Sequence, residues 1–247
     1  MRHKITMNTQ KGFMKGIVDG LPICFGYISV AFAFGIFSVG NGLTAFQALA
    51  ISMANVTSAG QLSAVPIIAG GGTMFELALT QFVINLRYSL MSVSLSQKFD
   101  KSIKLLDRFI LAFVNTDEVF AVASSQPGKV KKSYMYGLII TPYLGWSVGT
   151  LVGALAGDIF PPSLTSALGV AIYGMFIAIV LPPAKKRKAT ALCVLLAIIL
   201  SCIFFYAPVL NKIPQGFTII ICAVTASALF AVLFPISTEE KGEEANE

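Results

Sequence analysis

Long apolar segments alternate with short polar ones along almost the whole chain. Most of them approach or exceed the roughly 20 apolar residues that an α-helix needs to cross a bilayer. The apolar segments cover residues 13–39, 47–70, 74–95, 104–124, 133–156, 164–182, 189–206 and 214–234. This pattern predicts an all-α polytopic membrane protein.

The basic residues indicate which ends of these segments face the cytoplasm, because Lys and Arg are enriched in cytoplasmic loops. They are grouped at residues 1–15, 98–108, 129–132 and 185–188. If every segment crossed the membrane, the group at 98–108 would lie on the opposite side from the N-terminus. It lies on the same side if segments 47–70 and 104–124 each enter the membrane and return.

The composition of these two segments agrees with a broken course through the membrane. Segment 47–70 is rich in polar residues and ends in Gly70-Gly71-Gly72, and segment 104–124 soon reaches Asn115-Thr116-Asp117-Glu118. Broken backbone persists at membrane depth only where protein or a water-filled cavity satisfies its N–H and C=O groups. The sequence therefore predicts about six full spans plus two re-entrant or broken helical elements, one from each side. Full spans in those two places are the alternative.

The two flanks of the apolar region differ from it in composition. Residues 1–12 are basic, and the apolar stretch of 27 residues that follows is too long for the core of a cleavable signal peptide. Residues 236–247 are acidic and are expected to form a disordered tail. We expect residues 13–235 to form a single transmembrane transport domain in the cell membrane, with both termini in the cytoplasm.

Composition and charge argue against several other classes of protein. The chain is only 12% charged, whereas a soluble domain carries about 25% charged residues. Its net charge of +6 lies mainly in the loop groups, so nucleic acid is not an expected partner. The only histidine is His3, and the four cysteines form no CxxC motif, so we expect no metal site and no cofactor. No nucleophile–base pair is visible, so we expect no catalytic residues.

Arg87 is the one basic residue deep within an apolar segment, about 12 Å from its nearer end at the rise of an α-helix. A guanidinium stays protonated, so it must find an anion or water there. Asp117 and Glu118 are candidate partners with apolar neighbours. They could neutralise Arg87 or exchange a proton with the medium, because an apolar setting favours a protonated carboxyl. The alternative is a buried ion pair that only fixes the fold.

Two patterns of neutral residues add to this picture. Gly60 and Gln61 combine a residue that permits close backbone approach with an amide that offers donors and acceptors. On an unwound segment they could hold the amine and carboxylate of a zwitterion, together with Asn85 beside Arg87. The second pattern is a stripe of small residues that predicts close helix packing. Its members are Gly145, Gly149, Gly153 and Gly157.

These motifs, in this order, resemble the AzlC family, the large subunit of branched-chain amino acid exporters. The resemblance covers about residues 12–235. It rests on Gly26-Tyr27, Ala33-Phe34-Gly35, Ala59-Gly60-Gln61-Leu62, Asn85-Leu86-Arg87-Tyr88, Thr116-Asp117-Glu118-Val119-Phe120 and Trp146 with Gly149-Thr150 and Gly153. Family members commonly have a histidine where this chain has Tyr88, and a Gly-Ala-Ser-Gln-Phe-like run where it has Ser58-Ala-Gly-Gln-Leu62. The resemblance implies a small membrane partner of the AzlD type.

The residues and the resemblance together predict a secondary transporter that exports branched-chain or other small apolar amino acids, coupled to proton entry. Arg87 would attract the substrate carboxylate when Asp117 and Glu118 are protonated and release it when they ionise. Gln61 and Asn85 would orient the substrate's polar groups. No Walker motif is present, which argues against ATP as the direct driver. The alternative is a non-transporting membrane scaffold or sensory subunit whose buried charges are structural.

Overall fold

The computed structural model describes residues 2–157, 177 and 180–234, with side chains from residue 10 onward. Its helices are α1 (Arg2–Gly40), α2 (Ala45–Ala54), α3 (Ser58–Ala69), α4 (Met74–Ser96), α5 (Leu105–Phe113), α6 (Asp117–Ser125), α7 (Lys132–Gly157), α8 (Lys188–Tyr206) and α9 (Gln215–Leu233). A 3-10 turn, Leu210–Lys212, precedes α9. The predicted segment 164–182 lies mostly outside the described residues, and the predicted tail at 236–247 lies wholly outside them.

The all-α prediction is confirmed. Within the described residues the only β-structure is an isolated bridge between Phe99 and Val130. Four described helices are long and apolar enough to cross a membrane, by length and composition. They are Gln10–Gly40, Lys132–Gly157, Lys188–Tyr206 and Gln215–Leu233. Helix α4 is 23 residues long but carries Glu76 and Arg87 among its apolar residues.

Threonines determine where several helices begin. The hydroxyls of Thr44, Thr73 and Thr116 accept hydrogen bonds from the N–H groups three residues further on, at 3.2, 3.1 and 3.5 Å. Each bond satisfies one of the N–H groups that the first turn of a helix leaves without a partner, at the starts of α2, α4 and α6. Thr57 precedes α3 in the same way, but its hydroxyl makes no such bond.

Helices α1 and α7 pack against each other in the same direction along most of their length. A Cβ atom added at Gly16 would overlap the carbonyl oxygen of Tyr134, and one added at Gly153 would overlap that of Phe32. Residue numbers therefore rise together along the two helices, which makes them parallel. Backbone-to-backbone contact of this kind requires small residues at the interface.

The glycines of the predicted packing stripe lie along this α1–α7 contact, but not all are equally confined. At Gly145 and Gly149 an added Cβ would lie 2.6 and 2.7 Å from the nearest atoms of α1. At Gly157 the nearest atom would be 3.5 Å away, which is ordinary van der Waals contact. The first three glycines of the stripe thus have no room for a side chain, whereas the fourth does.

Helix α4 runs antiparallel to α1. The Gln97 carbonyl that follows α4 accepts a hydrogen bond from Lys129 Nζ at 2.6 Å, and Gln126 nearby accepts one from Lys15 Nζ at 2.7 Å. Helix α4 therefore ends beside the start of α7 and beside Lys15 in the first half of α1. We call this end of the molecule the basic end, because the predicted basic groups at 1–15, 98–108 and 129–132 meet there.

The two broken elements are helical hairpins that start from opposite ends of the molecule. Helices α2 and α3 connect the end of α1 to the start of α4, both of which lie far from the basic end. Helix α5 begins at the basic end, and helix α6 ends there. Asp107 in the first turn of α5 pairs with Lys132 at 2.6 Å, and Gln126 just after α6 contacts Lys15.

The α1–α7 contact predicts an unusual response to alanine. In a helix Gly→Ala ordinarily stabilises by about 1 kcal/mol. Gly153→Ala should instead destabilise the protein by about 1–3 kcal/mol, because the new methyl group overlaps the α1 backbone. Gly26→Ala is the matched control, since an added Cβ there has nothing within 4 Å. Thermal unfolding in detergent micelles measures both variants, and equal melting temperatures would contradict this packing.

Candidate functional site

The two helix breaks line one cavity of about 560 Å³, which we call the central cavity. The first break (residues 55–57) separates α2 from α3, and the second break (residues 114–116) separates α5 from α6. Helix α4 supplies much of the remaining wall. The polar lining residues are Asn55, Thr57, Gln81, Asn85, Tyr88, Ser89, Ser92, Asn115 and Thr116. A cavity of this volume is suited to a small-molecule ligand.

Amide side chains of α4 hold the first break in place. Gln81 Oε1 accepts from Asn55 Nδ2 at 2.8 Å, and Gln81 Nε2 donates to the Gly60 carbonyl at 2.8 Å. Asn85 Oδ1 accepts from the Thr57 hydroxyl at 2.7 Å. These bonds satisfy polar groups that would otherwise be unpaired at a helix break. Two of the predicted binding residues, Asn85 and Gly60, thus support the backbone of the site.

A side-chain hydrogen bond joins the second break to α4. Asn115 Nδ2 donates to Ser92 Oγ at 2.9 Å. The Asn115 side chain is buried, with 3% of its residue surface exposed, and its Oδ1 atom has no hydrogen-bond partner in the described part of the chain.

Arg87 reaches across to the start of α6. Its Nη1 atom lies 2.8 Å from Asp117 Oδ2, and its Nη2 atom donates to the Tyr88 hydroxyl at 2.9 Å. The Arg87 and Asp117 side chains are 55% and 44% exposed. The structure therefore brings together the cation and one of the two acids that the sequence singled out. Because the pair is not enclosed, either group can change partners without crossing a packed core.

Glu118 has a different partner from Asp117. Its Oε2 atom accepts a hydrogen bond from the Tyr27 hydroxyl of α1 at 2.5 Å. The Tyr27 ring packs edge-on against Trp146 of α7, with ring centroids 4.9 Å apart. Glu118 is thus connected to the α1–α7 pair, whereas Asp117 faces α4.

Gln61 lies away from the central cavity. Its side chain is fully buried, and Nε2 donates to Ser52 Oγ at 2.9 Å. Ser52 Oγ in turn lies 2.6 Å from Thr150 Oγ1, which joins both arms of the first hairpin to α7. Among the residues expected to bind substrate, Asn85 lines the cavity, whereas Arg87, Gly60 and Gln61 are not among its lining residues.

Several functional candidates were not singled out from sequence. In the sequence Tyr27 cannot be distinguished from an aromatic residue that only packs. Ser92 likewise cannot be distinguished from an ordinary small residue in a helix. Asn115 carried a usable signal: it is an amide between an apolar stretch and Asp117, at the point where the segment breaks.

Buried polar side chains around two helix breaks, with apolar helices outside them, define a polytopic α-helical membrane protein with a polar centre. Residues 22–160 match the family model described as AzlC protein. The chain belongs to the AzlC family, which confirms the expected resemblance. No solved structure matches it.

Three relatives are informative. The chain is 28% identical over 194 residues to the inner membrane protein YgaZ of Escherichia coli, covering 76% of this chain and 78% of the relative. It is 32% identical over 181 residues to an uncharacterized membrane protein of Archaeoglobus fulgidus, covering 72% and 79%. It is 23% identical over 171 residues to the branched-chain amino acid transport protein AzlC of Bacillus subtilis, covering 68% and 66%.

The first break predicts a specific loss of stability. Gln81→Leu leaves Asn55 Nδ2 and the Gly60 carbonyl without their partner, so the free energy of unfolding should fall by about 1–3 kcal/mol. Gln97→Leu is the control, because it makes the same change just beyond α4, where the side chain is exposed. Chemical unfolding in micelles compares the two variants. Equal stability would mean that Gln81 does not support the break.

Proposed function

We propose that this protein is a secondary transporter that exports branched-chain or other small apolar amino acids, as the large subunit of a two-component permease in the cell membrane. The observation that carries the proposal is the central cavity, where two broken helices meet at polar side chains. Discontinuous helices that meet near the bilayer midplane are typical of substrate sites in secondary transporters. The name of the Bacillus subtilis relative, a branched-chain amino acid transport protein, supports this substrate class.

The proposed topology has six full spans and two re-entrant hairpins. The spans are α1, α4, α7, α8, α9 and the segment at 164–182. The basic end faces the cytoplasm, because cytoplasmic loops are enriched in Lys and Arg. Both termini then lie in the cytoplasm, the first hairpin enters from outside, and the second enters from inside.

Exchange of partners by Arg87 couples substrate to protons in this proposal. When Asp117 is ionised it holds Arg87, as in the 2.8 Å contact. When Asp117 takes up a proton, Arg87 is released and attracts the substrate carboxylate, since a guanidinium binds carboxylates through two parallel hydrogen bonds. Glu118 is the second proton-carrying group, with Tyr27 as its partner. Gln61 and Gly60 act through the conformation of the first hairpin.

The two hairpins act as gates on opposite sides of the central cavity. At the basic end, polar contacts hold the second hairpin to the α1–α7 pair. Asp107 contacts Lys132 and accepts from the Tyr136 hydroxyl at 2.9 Å, while Gln126, just after α6, accepts from Lys15 Nζ of α1 at 2.7 Å. Breaking these contacts would open a path to the cytoplasm without disturbing the first hairpin.

A non-transporting scaffold or sensory subunit is the second candidate. It is favoured by the hydrogen bonds of Asn55, Gln81 and Asn85, which occupy groups that a substrate could otherwise use. Counterflow of labelled valine in proteoliposomes, with and without a co-expressed small AzlD-type subunit, separates the candidates. A transporter gives counterflow in at least one preparation, and a scaffold gives none with any amino acid.

Arg87→Lys should lower the rate of valine counterflow at least about tenfold, because a point charge cannot bind a carboxylate through two parallel hydrogen bonds. Arg108→Lys makes the same change at an exposed position and should leave the rate unchanged. Initial rates in matched proteoliposomes are the measurement. Wild-type transport by Arg87→Lys would remove Arg87 from the mechanism.

Asp117→Asn should separate exchange from coupling. An amide cannot ionise, so valine counterflow should persist while a pH gradient no longer drives net valine movement. Asp100→Asn, in the loop between α4 and α5 and not among the residues that line the central cavity, should retain both activities. Valine uptake and internal pH are followed in the same vesicles. Gradient-driven transport by Asp117→Asn at the wild-type rate would exclude Asp117 as the coupling group.

A further inference from the structure

The second break leaves one buried acceptor free at the wall of the central cavity. Asn115 is 3% exposed and lines that cavity, and Ser92 occupies only its Nδ2 atom. Its Oδ1 atom has no partner among the described residues. Buried polar atoms in folded proteins are nearly always hydrogen-bonded. An unpaired carbonyl oxygen on a residue that lines a cavity is therefore a candidate acceptor for a donor from a ligand.

The complementary charge lies beside the first break, at the start of α3, directly after the cavity-lining residue Thr57. The hydroxyl of Thr57 donates to Asn85 and does not cap α3. The first backbone bond of this 12-residue helix runs from the Gln61 N–H to the Thr57 carbonyl at 2.9 Å. The preceding N–H groups of α3 thus lack a side-chain cap beside the first break. The N-terminus of a helix carries a partial positive charge and attracts anions.

We propose that Asn115 Oδ1 accepts a hydrogen bond from the α-ammonium group of the substrate, while the N-terminus of α3 faces its α-carboxylate. The inference rests on the proposed function and identifies the group that recognises the amine. The carboxylate is shared with Arg87 once that residue leaves Asp117. The apolar side chain lies against Val56, Ala112 and Phe113, which line the same cavity. The site thereby selects free α-amino acids over amine-blocked ones.

The test is binding of labelled leucine to purified protein, with unlabelled leucine, leucinamide and N-acetylleucine as competitors. Asn115→Leu keeps the approximate volume and removes the acceptor, so leucine and leucinamide should bind about 10- to 100-fold more weakly. N-acetylleucine has no ammonium group, so its affinity should fall little. Its affinity relative to leucine should therefore rise, which a merely structural role would not produce. Asn211→Leu is the control at an exposed position and should match the wild type.

Three outcomes overturn the inference. If Asn115→Leu weakens the binding of all competitors equally, Asn115 does not bind the amine. The same conclusion follows if it weakens the binding of none of them. If Asn115→Leu fails to fold, Asn115→Asp decides, since it keeps an acceptor and should bind leucine at least as well as the wild type. Loss of leucine binding by folded Asn115→Asp is the third such outcome.

Failure of the proposed function gives a different result. A wild-type protein that binds leucine with this selectivity but shows no counterflow is not a transporter, and the Asn115 inference then stands on its own. A wild type that binds no amino acid overturns both.

Discussion

A helix that breaks inside a membrane exposes N–H and C=O groups that lipid cannot satisfy. Much of this structure follows from that constraint. At the first break the amide side chains of Gln81 and Asn85 bind Asn55, Gly60 and Thr57. At the second break Thr116 caps α6 and Asn115 binds Ser92. Helix α4 therefore carries polar side chains that bind both breaks, Gln81 and Asn85 at the first and Ser92 at the second.

The parallel α1–α7 pair provides the frame that keeps the two breaks opposed. Glycine contacts bring the two backbones together and leave little room for sliding. The first hairpin attaches to this frame through Ser52 and Thr150, and the second through Glu118 and Tyr27. Apolar packing adds to these polar attachments, because Val65 of α3 belongs to one buried cluster with Phe34 of α1, and Val119 of α6 belongs to another with Met135 of α7. Motion of a hairpin against the frame therefore has to exchange both polar and apolar contacts.

Sequence predicts the helices well, because bilayer thickness limits their length and flanking polar residues mark their ends. Segments 74–95, 133–156, 189–206 and 214–234 each match a helix to within one residue at either end. Charge grouping indicated which two elements are broken. The positions of Gln61 and Glu118 could not be predicted, because a break changes the direction in which each following residue points. Only three-dimensional packing places Gln61 against Ser52 and Glu118 against Tyr27.

The separation of Asp117 from Glu118 bears directly on the proposed coupling of substrate to protons. Adjacent residues at a helix start point about 100° apart, so they cannot share one partner easily. Here Asp117 meets a half-exposed arginine on α4, while Glu118 meets a buried tyrosine on α1. Protonation of Asp117 would free Arg87 without loosening the hold of Glu118 on the frame. One acid can then release the arginine while the other keeps the hairpin in position.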